Sequence, residues 1–142
     1  DGIDGKRGEE LPLGAVRLTE KYREFTELAE YLRTTLHREI ASFCAGSYRL
    51  VATGGTATTL ARVLKGKVDH AAFTLDEGRA LVMKLNAMSL DERRRVPGLP
   101  PERADIIVAG GAVVLFAMET LDVQELTVSI RNLRYGVFCE PK

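Results

Sequence analysis

A β-branched run that stops at two adjacent glycines and restarts as an apolar helical repeat can fold in few ways, and VATGGTATTLARVL, residues 51–64, holds that whole pattern. The approach, YRLVAT, reads as a short strand. TATTLARVLKG reads as a helix, with Thr56 placed to cap its first turn. Between them, Gly54-Gly55 makes a strand-to-helix turn that leaves several backbone N–H groups unpaired and facing whatever lies in front. Phosphate is the ligand chemistry such a turn suits. The plainer reading is a tight turn and nothing more, because a lone Gly-Gly pair is a weak signal.

The flanking sequence supplies the rest of an α/β pattern. LPLGAVRLT alternates Val16 and Leu18 with Arg17 and Thr19, the period of a half-buried strand, with Gly14 at a bulge or a close backbone approach. EKYREFTELAEYLRTTLHREIASFCAG spaces Tyr22, Phe25, Leu28, Ala29, Leu32, Leu36 and Ile40 by three and four. That predicts one long amphipathic helix ending near Gly46. Two capping-box patterns, Thr74 with Glu77 and Ser89 with Glu92, mark helix starts.

PPERADIIVAGGAVVLFAMETLD is ambiguous at ADIIVAGG, which could be a strand. The helical steps of Ile106, Ala109, Val113, Ala117 and Leu121 favour a helix after the Pro100-Pro101 pair. Gly110-Gly111 inside it costs roughly 1 kcal/mol per glycine against alanine, which points to close packing of a neighbouring helix. ELTVSI closes as a strand and RNLRYGVFC as a last short helix or turn. No internal linker or repeat interrupts residues 1–142, so one domain is expected.

Lys plus Arg and Asp plus Glu both number 20, so no global field recruits nucleic acid or an anionic membrane, and a polyanion would need a local site. Cys44 and Cys139 have neither CxxC spacing nor a nearby His, which excludes a sequence-local metal or redox motif. No apolar run is long enough to span a membrane. The polar, Gly-rich start is unlike a signal peptide, and a cytoplasmic location is expected. With no initiator Met, DGIDGKRGEE reads as the tip of a β-hairpin, so a fragment is the expectation.

In order and spacing, LPLGAVRLTE, TGGTATTLA, SLDERRRVPGLPPERADIIVAGG and LTVSIRNLRYGVF resemble the exopolyphosphatase/guanosine pentaphosphate phosphohydrolase (Ppx/GppA) family over roughly residues 11–140. The resemblance implies an actin-like (ribonuclease H-like) ATPase-type domain, a mixed sheet flanked by helices, forming the second lobe of a two-domain enzyme. That enzyme would remove terminal phosphate from polyphosphate or guanosine pentaphosphate, with Mg²⁺ as cofactor. The Asp-x-Gly-Gly-Gly-Ser phosphate loop that the family carries before LPLGAVRLTE does not occur in residues 1–142. By the resemblance, the first domain and its general-base glutamate are expected on segments outside these residues. The chain by itself is therefore expected to be inactive, with no catalytic and no metal-binding residue of its own. Its partners would be the substrate and the first domain, and a homodimer stays open. A sensor that binds a phosphorylated nucleotide without hydrolysing it is the alternative.

By the same resemblance Gly54, Gly55 and Thr56 would border the substrate channel. Gly14 and Arg17 would lie near the cleft floor, although Arg17 also suits a solvated strand face. The basic cluster Glu92 to Arg95, with Arg103 beyond it, is either a solvated helix face or an edge that gathers polyanions. His37 suits a helix surface and His70 a loop. Thr56, Thr58, Thr59 and Ser129 have no general base adjacent in sequence, which argues against a nucleophile. Gly110-Gly111 is expected to pack against the first domain or to act as a hinge.

Overall fold

The computed structural model describes residues 13–40, 48–130 and 137–141. The hairpin expected at the start, the end of the second helix near Gly46 and residues 131–136 lie outside the described residues.

Strand β1 (Tyr48–Ala52) runs parallel to β3 (Glu125–Val128), with Leu50 opposite Leu126 and Ala52 opposite Val128. Strand β2 (Ala72–Thr74) lies antiparallel on the other side of β3, and β4 (Val137–Pro141) antiparallel on the other side of β1. The resulting sheet order is β2-β3-β1-β4. Successive strand residues point to opposite faces. Leu50, Ala52, Phe73, Leu126 and Val128 are accordingly all buried, while Val51 and Thr127 between them are half-buried.

Three helices build the main core against that face: α3 (Gly55–Lys65), α4 (Leu75–Ala87) and α6 (Ile107–Thr120). Helix α6 is apolar on every side, as a helix enclosed by protein must be. Its second side packs on α2 (Phe25–Ile40) and α1 (Ala15–Lys21) through Leu18, Leu28, Leu32, Leu36, Ala109, Ala112 and Phe116. The short helix α5 (Leu90–Arg94) and a 3₁₀ turn (Pro101–Arg103) lead into α6. Both capping boxes form as the sequence predicts, Thr74 with Glu77 and Ser89 with Glu92.

Several sequence expectations need correction. The segment holding Gly14 and Arg17 is helix α1, not a strand. Alternation would have buried Val16 with Leu18, whereas Val16 is 55% exposed and Leu18 2%. Docking Leu18 on the small residues of α6 decides the matter, since so short a helix has little stability of its own. The long helix is broken at residues 22–24, where Tyr22 turns extended and caps α1. Residues 137–141 form strand β4 rather than a helix or turn, because β1 offers them an open edge to pair. Strand β2, with only three residues, gave no pattern to read.

A further correction concerns Gly110-Gly111, which meets this chain's own helices rather than another domain. A Cβ on Gly111 would lie 2.7 Å from Val82 Cγ2 on α4, and one on Gly110 would lie 2.6 Å from Thr56 Oγ1 on α3. The close packing that the glycines predicted is present.

Candidate substrate-facing turn

In open α/β sheets ligands gather beyond the carboxyl ends of the parallel strands. The turn Thr53 to Thr56 stands there, at the end of β1 and beside the end of β3, where the Ser129 amide donates to the Ala52 carbonyl at 3.0 Å. Gly54 holds φ 100° and ψ 174°, a conformation open to glycine and strained for other residues. It is also the N-cap of α3. Having no side chain, it leaves the first-turn N–H groups of that helix uncapped by its own residue. Thr56, expected as the cap, instead sits in the first turn with its side chain against Gly110. The cap fell two residues earlier because Gly54 already provides the extended turn from which the helix starts.

The structure brings most of the sequence-predicted site residues together. Gly110 is their meeting point. The Thr56 side chain presses on it from α3, and the Ala15 Cβ, next to the α1 cap Gly14, lies 3.3 Å from where a Gly110 Cβ would be. Arg17 stands apart, on the exposed face of α1, with no hydrogen bond or ion pair among the described residues.

Arg103 is the residue whose place the sequence did not show. Its guanidinium fills the space that a Cβ on Gly55 would need, so the missing side chain at Gly55 is what lets the cation lie against the first residue of α3. Among the described residues it forms no ion pair and no side-chain hydrogen bond. A cation at a helix N-terminus faces a like-signed partial charge, an arrangement unfavourable by about 0.3–1 kcal/mol that an anion placed between them would reverse. Uncapped N–H groups and a guanidinium fork together match the donor geometry of phosphate.

The basic cluster divides on inspection. Arg94 pairs with Asp91 at 3.1 Å on an exposed face. Arg93 turns inward to main-chain carbonyls, and burial pushes its pKa down from the usual arginine value. Only Arg103 reaches the turn. His37 lies on the α2 surface and His70 in an exposed loop, His70 having Asp69 3.5 Å from its Nε2. Among the described residues no three His, Cys, Asp or Glu side chains converge to offer a metal site. None of their helices is long and apolar enough to cross a membrane.

A family model described as the Ppx/GppA phosphatase family matches residues 7–141. The chain is 31% identical over 144 residues to Exopolyphosphatase 1 of Mycobacterium leprae, an alignment covering 89% of this chain and 42% of that protein. Its fold superposes with a TM-score of 0.78 on the Aquifex aeolicus member of the Ppx/GppA family, at 26% identity over 87% of this chain and 44% of that one. An exopolyphosphatase from Cytophaga hutchinsonii shares the fold at TM-score 0.69 and 19% identity, over 86% of this chain and 45% of that one. The actin-like α/β fold is therefore this chain's fold, and the chain spans less than half the length of these relatives.

Proposed function

We propose that this chain, which belongs to the Ppx/GppA phosphatase family, is the second lobe of a phosphohydrolase that releases terminal phosphate from inorganic polyphosphate, guanosine pentaphosphate or both. The observation that carries the reading is the Arg103 guanidinium lying against Gly55 at the uncapped start of α3. In this account Gly54, Gly55 and Thr56 form the wall along which a phosphate chain lies. Arg103 holds its oxygens and Gly14 lies at the floor, while Arg17, on the exposed face of α1, is left out of the wall. The reaction is attack of water on the terminal phosphoryl group, the proton passing to a carboxylate on the other lobe. Mg²⁺ would neutralise charge at the transferred group. Among the described residues no three His, Cys, Asp or Glu side chains converge to hold it.

Phosphate release measured side by side tests the assignment. The two-domain protein that carries this chain is expected to hydrolyse at least one of the two compounds in a metal-dependent way, while residues 1–142 alone hydrolyse neither. Turnover by the isolated chain at the two-domain rate would overturn the placement of the reacting groups outside it. Tight binding of guanosine pentaphosphate with no release would mark the sensor instead.

A further inference from the structure

Between α5 and α6 the chain runs as a strap along α3. At one end Gly98, with φ 88°, lies against the Arg62 and Val63 backbone, so that a Cβ there would come 3.2 Å from the Arg62 carbonyl oxygen. At the other end Arg103 lies against Gly55. The strap is drawn tight by its own turns: Leu99 N–H donates to Val96 O at 3.1 Å, Arg103 N–H to Pro100 O at 2.9 Å and Ile106 N–H to Arg103 O at 3.1 Å. Leu99 and Ala104 are buried beneath it.

One side chain ties the strap to the rest of the fold from outside. Arg93 Nε donates to the Leu85 carbonyl at 2.7 Å, and its Nη1 reaches the Ala104 carbonyl at 3.4 Å. Leu85 O belongs to the last turn of α4, where it also accepts the Met88 N–H at 3.2 Å and where the negative end of the helix attracts a cation. Ala104 follows Arg103 directly. The half-buried Arg93 forms no ion pair among the described residues and spends its fork on main-chain carbonyls that no other side chain holds there.

We infer that Arg93 is a positioning residue for substrate binding: by joining the end of α4 to the residue after Arg103, it fixes where the Arg103 guanidinium stands over the Gly55 turn. This deepens the reading of that turn as a phosphate wall and rests on it. Lysine cannot replace it fully, because a single ammonium on a flexible stem does not span two carbonyls as a rigid fork does.

A double-mutant cycle in the two-domain protein separates this role from a merely structural one. The readouts are kcat and KM for polyphosphate, and the melting temperature, of Arg93→Met, Arg103→Met and the double variant. Arg93→Met is expected to lower kcat/KM about tenfold, mainly through KM, in the presence of Arg103, and by less than about twofold in the Arg103→Met background. Its effect on melting temperature should be the same in both backgrounds. Arg93→Lys should fall between wild type and Arg93→Met, and it carries the same comparison if the methionine variant does not fold. Equal losses in both backgrounds, or no loss in either, would overturn the inference. If Arg103→Met alone leaves kcat/KM unchanged, the wall reading falls and this inference with it.

Discussion

Two neighbouring glycines in this chain serve different physical needs. Gly54 has a φ only glycine adopts freely, and a Cβ there would meet nothing within 4 Å. Gly54→Ala should therefore destabilise through backbone strain, by about 1–3 kcal/mol, with no clash to relieve. Gly55 is helical, and alanine at that position would gain up to about 1 kcal/mol of helix propensity while driving the Arg103 guanidinium away. Chemical denaturation of the two variants should show the first clearly less stable than wild type and the second close to it. Equal losses would mean that the turn is read wrongly at one of them.

At the scale of elements, what was legible in the sequence is what local chemistry decides. Thr74-Glu77 and Ser89-Glu92 announce helix starts because donor and acceptor lie within one turn of chain. The 3.6-residue period of α6 likewise outweighed its strand-like ADIIVAGG. Helix α1, strand β2 and the Arg103 contact were not legible, because each depends on a surface supplied by distant residues: Ala109 and Ala112 for Leu18, β3 for β2, Gly55 for Arg103. The four-residue alternation around Arg17 fits a strand or one side of a helical turn equally.

Two tests belong at this scale. Gly111→Ala places a Cβ 2.7 Å from Val82 Cγ2 between α6 and α4, so it should destabilise by about 1–3 kcal/mol despite the better helix former; a gain in stability would show slack in that contact. The second concerns Glu77, which joins α4 to α3 through Lys65. The Lys65 ammonium, and after it the Thr74 backbone N–H, hold its carboxyl below the usual range. A depressed folded-state pKa contributes stability above the unfolded value, and that contribution is lost as pH falls through the folded one. Glu77→Gln should therefore show a smaller fall in melting temperature than wild type between neutral pH and about pH 3. An equal fall in both would remove Glu77 from the acid response.

Residues 1–142 carry the actin-like α/β fold, with the candidate site at one edge of the sheet. The family was legible because four motifs recur in order, and the fold followed from it. The site was legible in part. Gly54, Gly55 and Thr56 stand at the carboxyl ends of the parallel strands with Gly14 close by, but the cation among them comes from a strap more than forty residues later in the chain, a juxtaposition no local pattern encodes. Within the 92–95 cluster, Arg93 turns inward to main-chain carbonyls and Arg94 pairs with Asp91 on an exposed face. In the proposed account this lobe supplies a wall and a cation, and the proton-transfer group lies on the other lobe.

The most direct test of that account is kcat/KM for polyphosphate and for guanosine pentaphosphate in the two-domain protein carrying Gly55→Val, with thermal unfolding measured on the same sample. A valine side chain there intrudes on the channel and displaces Arg103, so kcat/KM should fall at least about tenfold for each compound that the wild type hydrolyses, the loss expected when one charge-assisted phosphate contact goes. The melting temperature should change little, because Gly55 is not at positive φ. Normal kinetics with a lowered melting temperature would contradict the account and leave Gly54-Gly55 as a turn alone.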